Sequence, residues 1–341
     1  MKTDREALLA QIKSLKPATA DKSPIEGLTH VWFMGEVAFA YNDVIGIETP
    51  CALPINGGLL GSTLLGMLDK STAQEVDIEA NDKEAVIKQS GARAKLPLMS
   101  VERAITPFPD DMGDPSCVID AAFRKALSHV MISVSASGVV LTPEEQELSF
   151  YATDGLTIAW ARIPVPDGYS VDRIALSSHF CDQLLKLCND QDGALYLTAE
   201  RAIAVTSNGT RLFGRLLEQQ KRRDFAGVIN ASIEGPQPIP LPEKLKLVLE
   251  RTQVLVVSGQ VAKVSATIEA GVMRLSLRTD LGDLQEALAL TKPHPSGTIE
   301  CVFDSALLLR DFSRFDRFVM NDSGFSLLCK EGGYITASPT K

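Results

Sequence analysis

Apolar and polar residues alternate through most of this chain, and at intervals the pattern shifts to helical spacing. The middle of the chain is the clearest case. From Glu147 to Ile163, Leu148, Phe150 and Ala152 alternate with Glu147, Ser149 and Tyr151. Leu156, Ile158 and Trp160 follow the Asp154-Gly155 pair. Two apolar runs around Asp-Gly predict paired strands joined at a tight turn, where residues tolerant of positive φ are required. Helical spacing predicts helices over residues 4–16 (Leu8, Ile12 and Leu15 inward) and Ser62–Lys70 (Leu64, Leu65 and Leu68 inward, Ser62 as cap). It predicts others over Cys117–Val130 (Ile119, Phe123, Ala126, Val130) and Ser177–Cys188 (Phe180, Leu184, Leu187). The last two are Pro242–Arg251 (Leu245, Val248, Leu249) and Asp304–Phe315 (Leu308, Phe312, Phe315). In the first helix Arg5, Lys13, Lys16 and Leu9 share a flanking face. Several short strand-like runs follow each helix.

The helix starts at 4, 62, 117, 177, 242 and 304 are separated by 58, 55, 60, 65 and 62 residues. Proline-rich segments at 106–115 and 234–242 cut the series after its second and fourth helices. The chain therefore reads as six helix-plus-strands units paired into three domains, 1–108, 115–235 and 236–341. Short connections within a unit imply antiparallel strands. The fold class is α+β, with two helices packed on antiparallel sheets in each of three similar domains.

Composition narrows the classes. A chain of 341 residues that is 45% hydrophobic buries large cores. A net charge of −9 argues against a coat of positive charge but not against a local basic lining. Six scattered cysteines form no CxxC pair and suit a reducing cytoplasm rather than a disulfide framework. No signal-type segment or apolar run long enough to span a membrane is apparent.

Several segments, in order along the chain, carry a resemblance. FYATDGLTIAWARIPV is similar to the V-A-T-D-G-H-R-L-A segment of the bacterial sliding clamp family, the beta subunit of DNA polymerase III. GTRLFGRLLEQQKRRDFAGVI resembles that family's S-R-L-I-[DE]-G-x-F-P-D-Y-x-x-V. VIKQSGARAKLPLM, GVMRLSLRTDLGDLQEAL and the tail YITASPTK match further segments. The resemblance implies a DNA-clamp fold assembled as a homodimeric ring around duplex DNA. Helices would line the hole, and there would be no catalytic site, metal or cofactor.

It also implies two binding surfaces. Diffuse lysines and arginines would face phosphates without reading sequence; the candidates are Arg5, Lys13, Lys16, Arg124, Lys125, Lys186, Lys244, Lys246, Arg310 and Arg314. Asp4, Asp120, Asp182 and Asp311 are interspersed with them. A pocket for a short peptide motif of DNA polymerase and the clamp loader would be walled by Ala136, Thr153, Gly155, Leu156, Thr157, Ile158, Gly227, Val228, Ala337, Ser338 and Pro339. The sequence departs from the family here. Leu156-Thr157 replaces His-Arg, Arg222-Arg223 replaces Phe-Pro, and Ser338 replaces the tail methionine, removing apolar contact area.

Catalytic patterns are poor. His30, His129, His179 and His294 have no paired ligand spacing. NGGLLGST lacks the phosphate-reaching lysine and reads as a helix-leading turn. Asn208-Gly209 reads as a hairpin turn, and Phe312, Phe315 and Phe318 as core. The rival to a clamp is a clamp-fold interaction scaffold that does not encircle DNA.

Overall fold

The computed structural model describes all residues except 90, 110, 167, 170–171, 219–223, 234–236, 258–259, 293–297, 322–323, 331 and 338–341. One pattern recurs along the chain: a short strand, a helix, then three strands. The first repeat is β1 (Lys2–Asp4), α1 (Arg5–Leu15), β2 (His30–Met34), β3 (Val37–Tyr41) and β4 (Ile45–Pro50). The second is β5 (Gly57–Leu60), α2 (Gly61–Lys70), β6 (Glu75–Ala80), β7 (Glu84–Gln89) and β8 (Ala92–Pro97). The third is β9 (Cys117–Ile119), α3 (Ala121–Val130), β10 (Val139–Glu144), β11 (Glu147–Thr153) and β12 (Thr157–Pro164). The fourth is β13 (Ile174–Leu176), α4 (Ser178–Leu187), β14 (Gly193–Leu197), β15 (Arg201–Thr206) and β16 (Arg211–Arg215). A helix outside the pattern, α5 (Phe225–Ile233), comes next. The fifth repeat is β17 (Ile239–Pro240), α6 (Leu245–Val254), β18 (Lys263–Glu269), β19 (Val272–Thr279) and β20 (Gly282–Ala289). The sixth is β21 (Ile299–Asp304), α7 (Ser305–Leu309), β22 (Arg317–Asn321), β23 (Gly324–Leu328) and β24 (Gly332–Ala337).

The leading strand of each repeat leaves its own three strands and joins those of a neighbouring repeat. β1 pairs with β6 and β5 with β2; β9 pairs with β14 and β13 with β10; β17 pairs with β22 and β21 with β18. Neither member of such a pair has a complete sheet without the other. All of these pairings are antiparallel.

The chain divides into two compact units, Met1–Arg124 with Pro166–Val171 and His179–Leu217, and Lys125–Val165 with Asp172–Ser178 and Glu218–Lys341. In the first, an eight-stranded sheet runs β5-β2-β3-β4-β16-β15-β14-β9 and a four-stranded sheet runs β1-β6-β7-β8. In the second, the eight-stranded order is β13-β10-β11-β12-β24-β23-β22-β17 and the four-stranded order is β20-β19-β18-β21. Each eight-stranded sheet joins third strand to third strand, β4 to β16 and β12 to β24. In the first unit one sheet face carries a buried cluster of Trp32, Phe39, Tyr41, Ile203 and Phe213, closed by Phe108 from the proline-rich segment. The opposite face takes Phe180 of α4 against Gly214, where a Cβ would meet the ring at 2.5 Å.

The predicted helices are present with shifted ends. Residues 117–119 are strand, because Asp120 caps α3: its Oδ1 accepts from Phe123 N at 2.8 Å. Asp4 and Asp304 cap α1 and α7 in the same way. Gly57–Leu60 is β5 rather than a turn, so α2 starts at Gly61, Ser62 lies inside it, and Leu65 is only half-buried. Leu9, expected on the basic face of α1, is buried. α7 stops at Leu309, because Asp311 adopts φ 48° and starts a 3-10 turn over Phe312–Arg314. Phe312 and Phe315 are buried all the same. α4 spans Ser178–Leu187 and α6 runs on to Val254. The helix α5 and the leading strands were not expected. Among the described residues no helix is long and apolar enough to cross a membrane.

Candidate partner-binding site

The central hairpin forms as its alternation requires, with Thr153 opposite Ile158. Its connection differs from a two-residue Asp-Gly turn. Only Gly155 takes a positive φ, 90°. Asp154 instead folds its side chain into the loop, Oδ1 accepting from Leu156 N (3.0 Å), Thr157 N (2.8 Å) and Thr157 Oγ1 (2.9 Å). Leu156 is thereby pushed outward and is 61% exposed. Thr153 Oγ1 donates to the Thr157 carbonyl at 2.7 Å. Thr157 Oγ1 also meets Ser133 Oγ at 2.8 Å. Ser135 and Ser137 donate to the Thr153 carbonyl at 2.7 and 3.2 Å. These serines lace the loop carrying exposed Ala136 to the turn.

The next strand over is β24, with Thr157 opposite Thr336 and Ile158 opposite Ile335. Ala337 pairs with Gly324. Ser338 and Pro339 lie outside the described residues. Gly227 and Val228 belong to α5, whose first turn is held by Asp224 Oδ1 accepting from Gly227 N at 2.8 Å. Phe225 stacks on Tyr151 at 5.3 Å between centroids and 13° between planes. At the other end Asn321 Nδ2 donates to the Ser232 carbonyl at 2.9 Å. Val228 is 49% exposed. Burial, reinforced by its 2.6 Å bond to Glu144, pushes the Tyr151 hydroxyl up to about 12. The structure thus brings Ala136 and Thr153–Ile158 together beside β24. It places Gly227 and Val228 on a helix seated on the sheet face of Tyr151. Exposed aliphatic groups beside fixed backbone suit apolar side chains of an extended peptide.

Arg310, expected to face phosphates, instead donates to Asp154 Oδ2 at 2.6 Å. Burial raises the Asp154 carboxyl, but the Arg310 bond and the Leu156 and Thr157 amides outweigh it and hold it below its ordinary value. Nothing in the periodicity signals this bond, which links residues 156 positions apart.

The other basic candidates are mostly engaged. Arg5 donates to the Leu68 carbonyl at 3.1 Å, and Arg124 to the Ile119 and Gln191 carbonyls and Asp192. Lys13 meets Asp69 at 2.8 Å, Lys186 meets Asp182 at 2.6 Å, and Lys246 meets Glu250 at 3.8 Å. Arg314 donates to the Ser128 carbonyl at 3.0 Å. Lys16, Lys125 and Lys244 are exposed. Surface pairs of this kind are worth little to stability. Arg5 and Arg124, with side chains 15% and 17% exposed, are braces within the protein.

No family model matches the sequence, and no curated protein matches it. Solved structures do. The DNA polymerase III subunit beta of Pseudomonas aeruginosa is similar at a TM-score of 0.83 and 15% identity, over 100% of both chains. The DNA polymerase sliding clamp of Bacillus subtilis gives 0.85 and 14%, over 100% of this chain and 98% of that one. A sliding clamp of Bartonella birtlesii, solved bound to griselimycin, gives 0.85 and 15%, over 100% and 99%. The fold is that of the DNA sliding clamps, end to end.

Proposed function

We propose that this chain is a DNA sliding clamp. It is a non-catalytic, cytoplasmic processivity subunit that closes as a homodimeric ring around duplex DNA. It tethers DNA polymerase and a clamp loader through peptides bound near Leu156 and Val228. Its three domains, 1–108, 115–235 and 236–341, each hold two strand-exchanging repeats.

The pairing of repeats carries this reading. Repeat one joins repeat four through β4 and β16, and repeat three joins repeat six through β12 and β24. Repeats two and five belong to the four-stranded sheets, whose β8 and β20 are each paired on one side only among the described residues. The same offset of three joins repeat five of one copy to repeat two of the next. Such edges are templates for pairing. Their charges are complementary: Arg93 and Lys95 on β8, Asp283 and Glu286 on β20. Exposed Val254, Val261 and Leu281 stand at the β20 end. Phosphate attraction would come from the helix cations, in a salt-dependent and sequence-independent way.

Loading onto nicked circular DNA tests the reading. The protein should co-elute with the circle and be lost when the circle is linearised. Equal retention on linear DNA, or none on the circle when a loader is supplied, would leave a scaffold with a clamp fold.

A further inference from the structure

The turn at Asp154 has a counterpart in the first unit. Asn42 Oδ1 accepts from Val44 N at 3.0 Å and Ile45 N at 2.9 Å, as Asp154 Oδ1 does from Leu156 and Thr157. Asp43, with φ 75°, stands where Gly155 has 90°. Val44 is 47% exposed where Leu156 is 61% exposed. Both turns join the second and third strands of a repeat whose third strand is the seam of an eight-stranded sheet. In both units a segment between repeats packs on the same sheet face, α5 by Phe225 on Tyr151 and the proline-rich segment by Phe108 near Phe213.

Beside the Asn42 turn lies a recess of about 440 Å³. Tyr41 and Phe213 line it from the sheet, Ile105 and Pro107 from the proline-rich segment, and Arg201 and Arg215 from the strand ends. The two arginines are directly opposed across β15 and β16, a like-charge juxtaposition that costs stability. Arg215 shares its charge with Asp43 at 3.3 Å and bonds the Tyr41 hydroxyl at 3.2 Å. The Arg201 side chain has no hydrogen-bond or ion-pair partner among the described residues. Glu200 also borders the recess, from the exposed strand end. Aromatic and aliphatic walls beside an arginine pair fit an aliphatic side chain followed by a carboxylate.

We infer that this recess is a second docking groove, for a linear peptide of another protein in which aliphatic residues alternate with acidic ones. The inference rests on the partner-peptide reading of the Asp154 turn for the kind of occupant; its charge preference comes from Arg201 and Arg215 alone.

Methyl-resolved NMR of the isoleucines in the full chain reads the two turns separately, Ile105 for the recess and Ile158 for the other. The probe is acetyl-Val-Glu-Val-Asp amide, titrated to about 1 mM. The Ile105 methyl should shift saturably, and Val-Gln-Val-Asn should bind about tenfold more weakly. The double variant Arg201→Gln, Arg215→Gln should lose the same factor, with its remaining methyl spectrum unchanged. An unmoved Ile105, equal binding of the neutral peptide, or an equal shift with inorganic phosphate would each overturn the proposal. A response at Ile105 with silence at Ile158 would support it and show that the two turns select different peptides, leaving the reading of the Asp154 turn to the DNA-loading test.

Discussion

At the scale of single residues, Asp154 decides the shape of the candidate site. One carboxylate holds two amides, one hydroxyl and one guanidinium. Replacing it with alanine removes all four and should cost about 2 kcal/mol, read from urea unfolding at neutral pH. The folded carboxyl is held below its ordinary value, so its contribution is full above about pH 4 and fades as pH falls through the lower folded value. The stability gap between the wild type and Asp154→Asn should therefore close on acidification. A gap of the same size at pH 3 and pH 7 would assign the effect to shape rather than charge. The aspartate itself was legible, as half of an Asp-Gly pair. Its role was not, because a turn signal says that the chain reverses and nothing about which distant side chain completes the loop. The same limit applies to Arg5, Arg124 and Arg310. Their placement on or beside helices was legible, but their carbonyl and carboxylate partners arise only from tertiary packing.

At the scale of elements, the second eight-stranded sheet depends on a close seam. Gly333 of β24 lies against the Trp160 ring, which fills the space a Cβ would need, and Trp160 is 4% exposed. Gly333→Val should force the ring out, cost about 3 kcal/mol and shift tryptophan emission to the red. An unshifted spectrum at unchanged stability would show that the seam can open without penalty. The helices were legible because their buried residues recur at helical spacing. The leading strands were not, since two to six residues before a helix carry too little alternation to separate them from its first turn. Asp120 held a usable signal: an aspartate before the apolar run marks a cap, and it places Cys117–Ile119 outside α3. The end of α7 had no such mark, because a 3-10 turn keeps Phe312 and Phe315 on the buried side and continues the apparent period.

At the scale of the whole molecule, closure of the proposed ring through the open edges of β8 and β20 would depend on charge. The double variant Arg93→Glu, Lys95→Glu should dissociate at about tenfold higher concentration than the wild type in sedimentation velocity, and adding Asp283→Lys should recover part of the loss. Unchanged association would place the contact elsewhere. The sixfold pattern was legible from spacing alone, since each helix start recurs with the repeat. Which repeat joins which was invisible, because strand pairing joins positions far apart in the chain.

The seam between third strands also bears on how the protein is made. A ribosome delivers the amino end first, yet β4 at residues 45–50 must wait for β16 at residues 211–215 before its seam can close. Over that interval a row of unpaired amides and carbonyls stands open on a nascent chain, with Phe39 and Tyr41 beside it. Synthesis therefore passes through a long adhesive stage that ends only when the fourth repeat has emerged, and slowing translation before residue 211 should lower the yield of native protein more than slowing it afterwards.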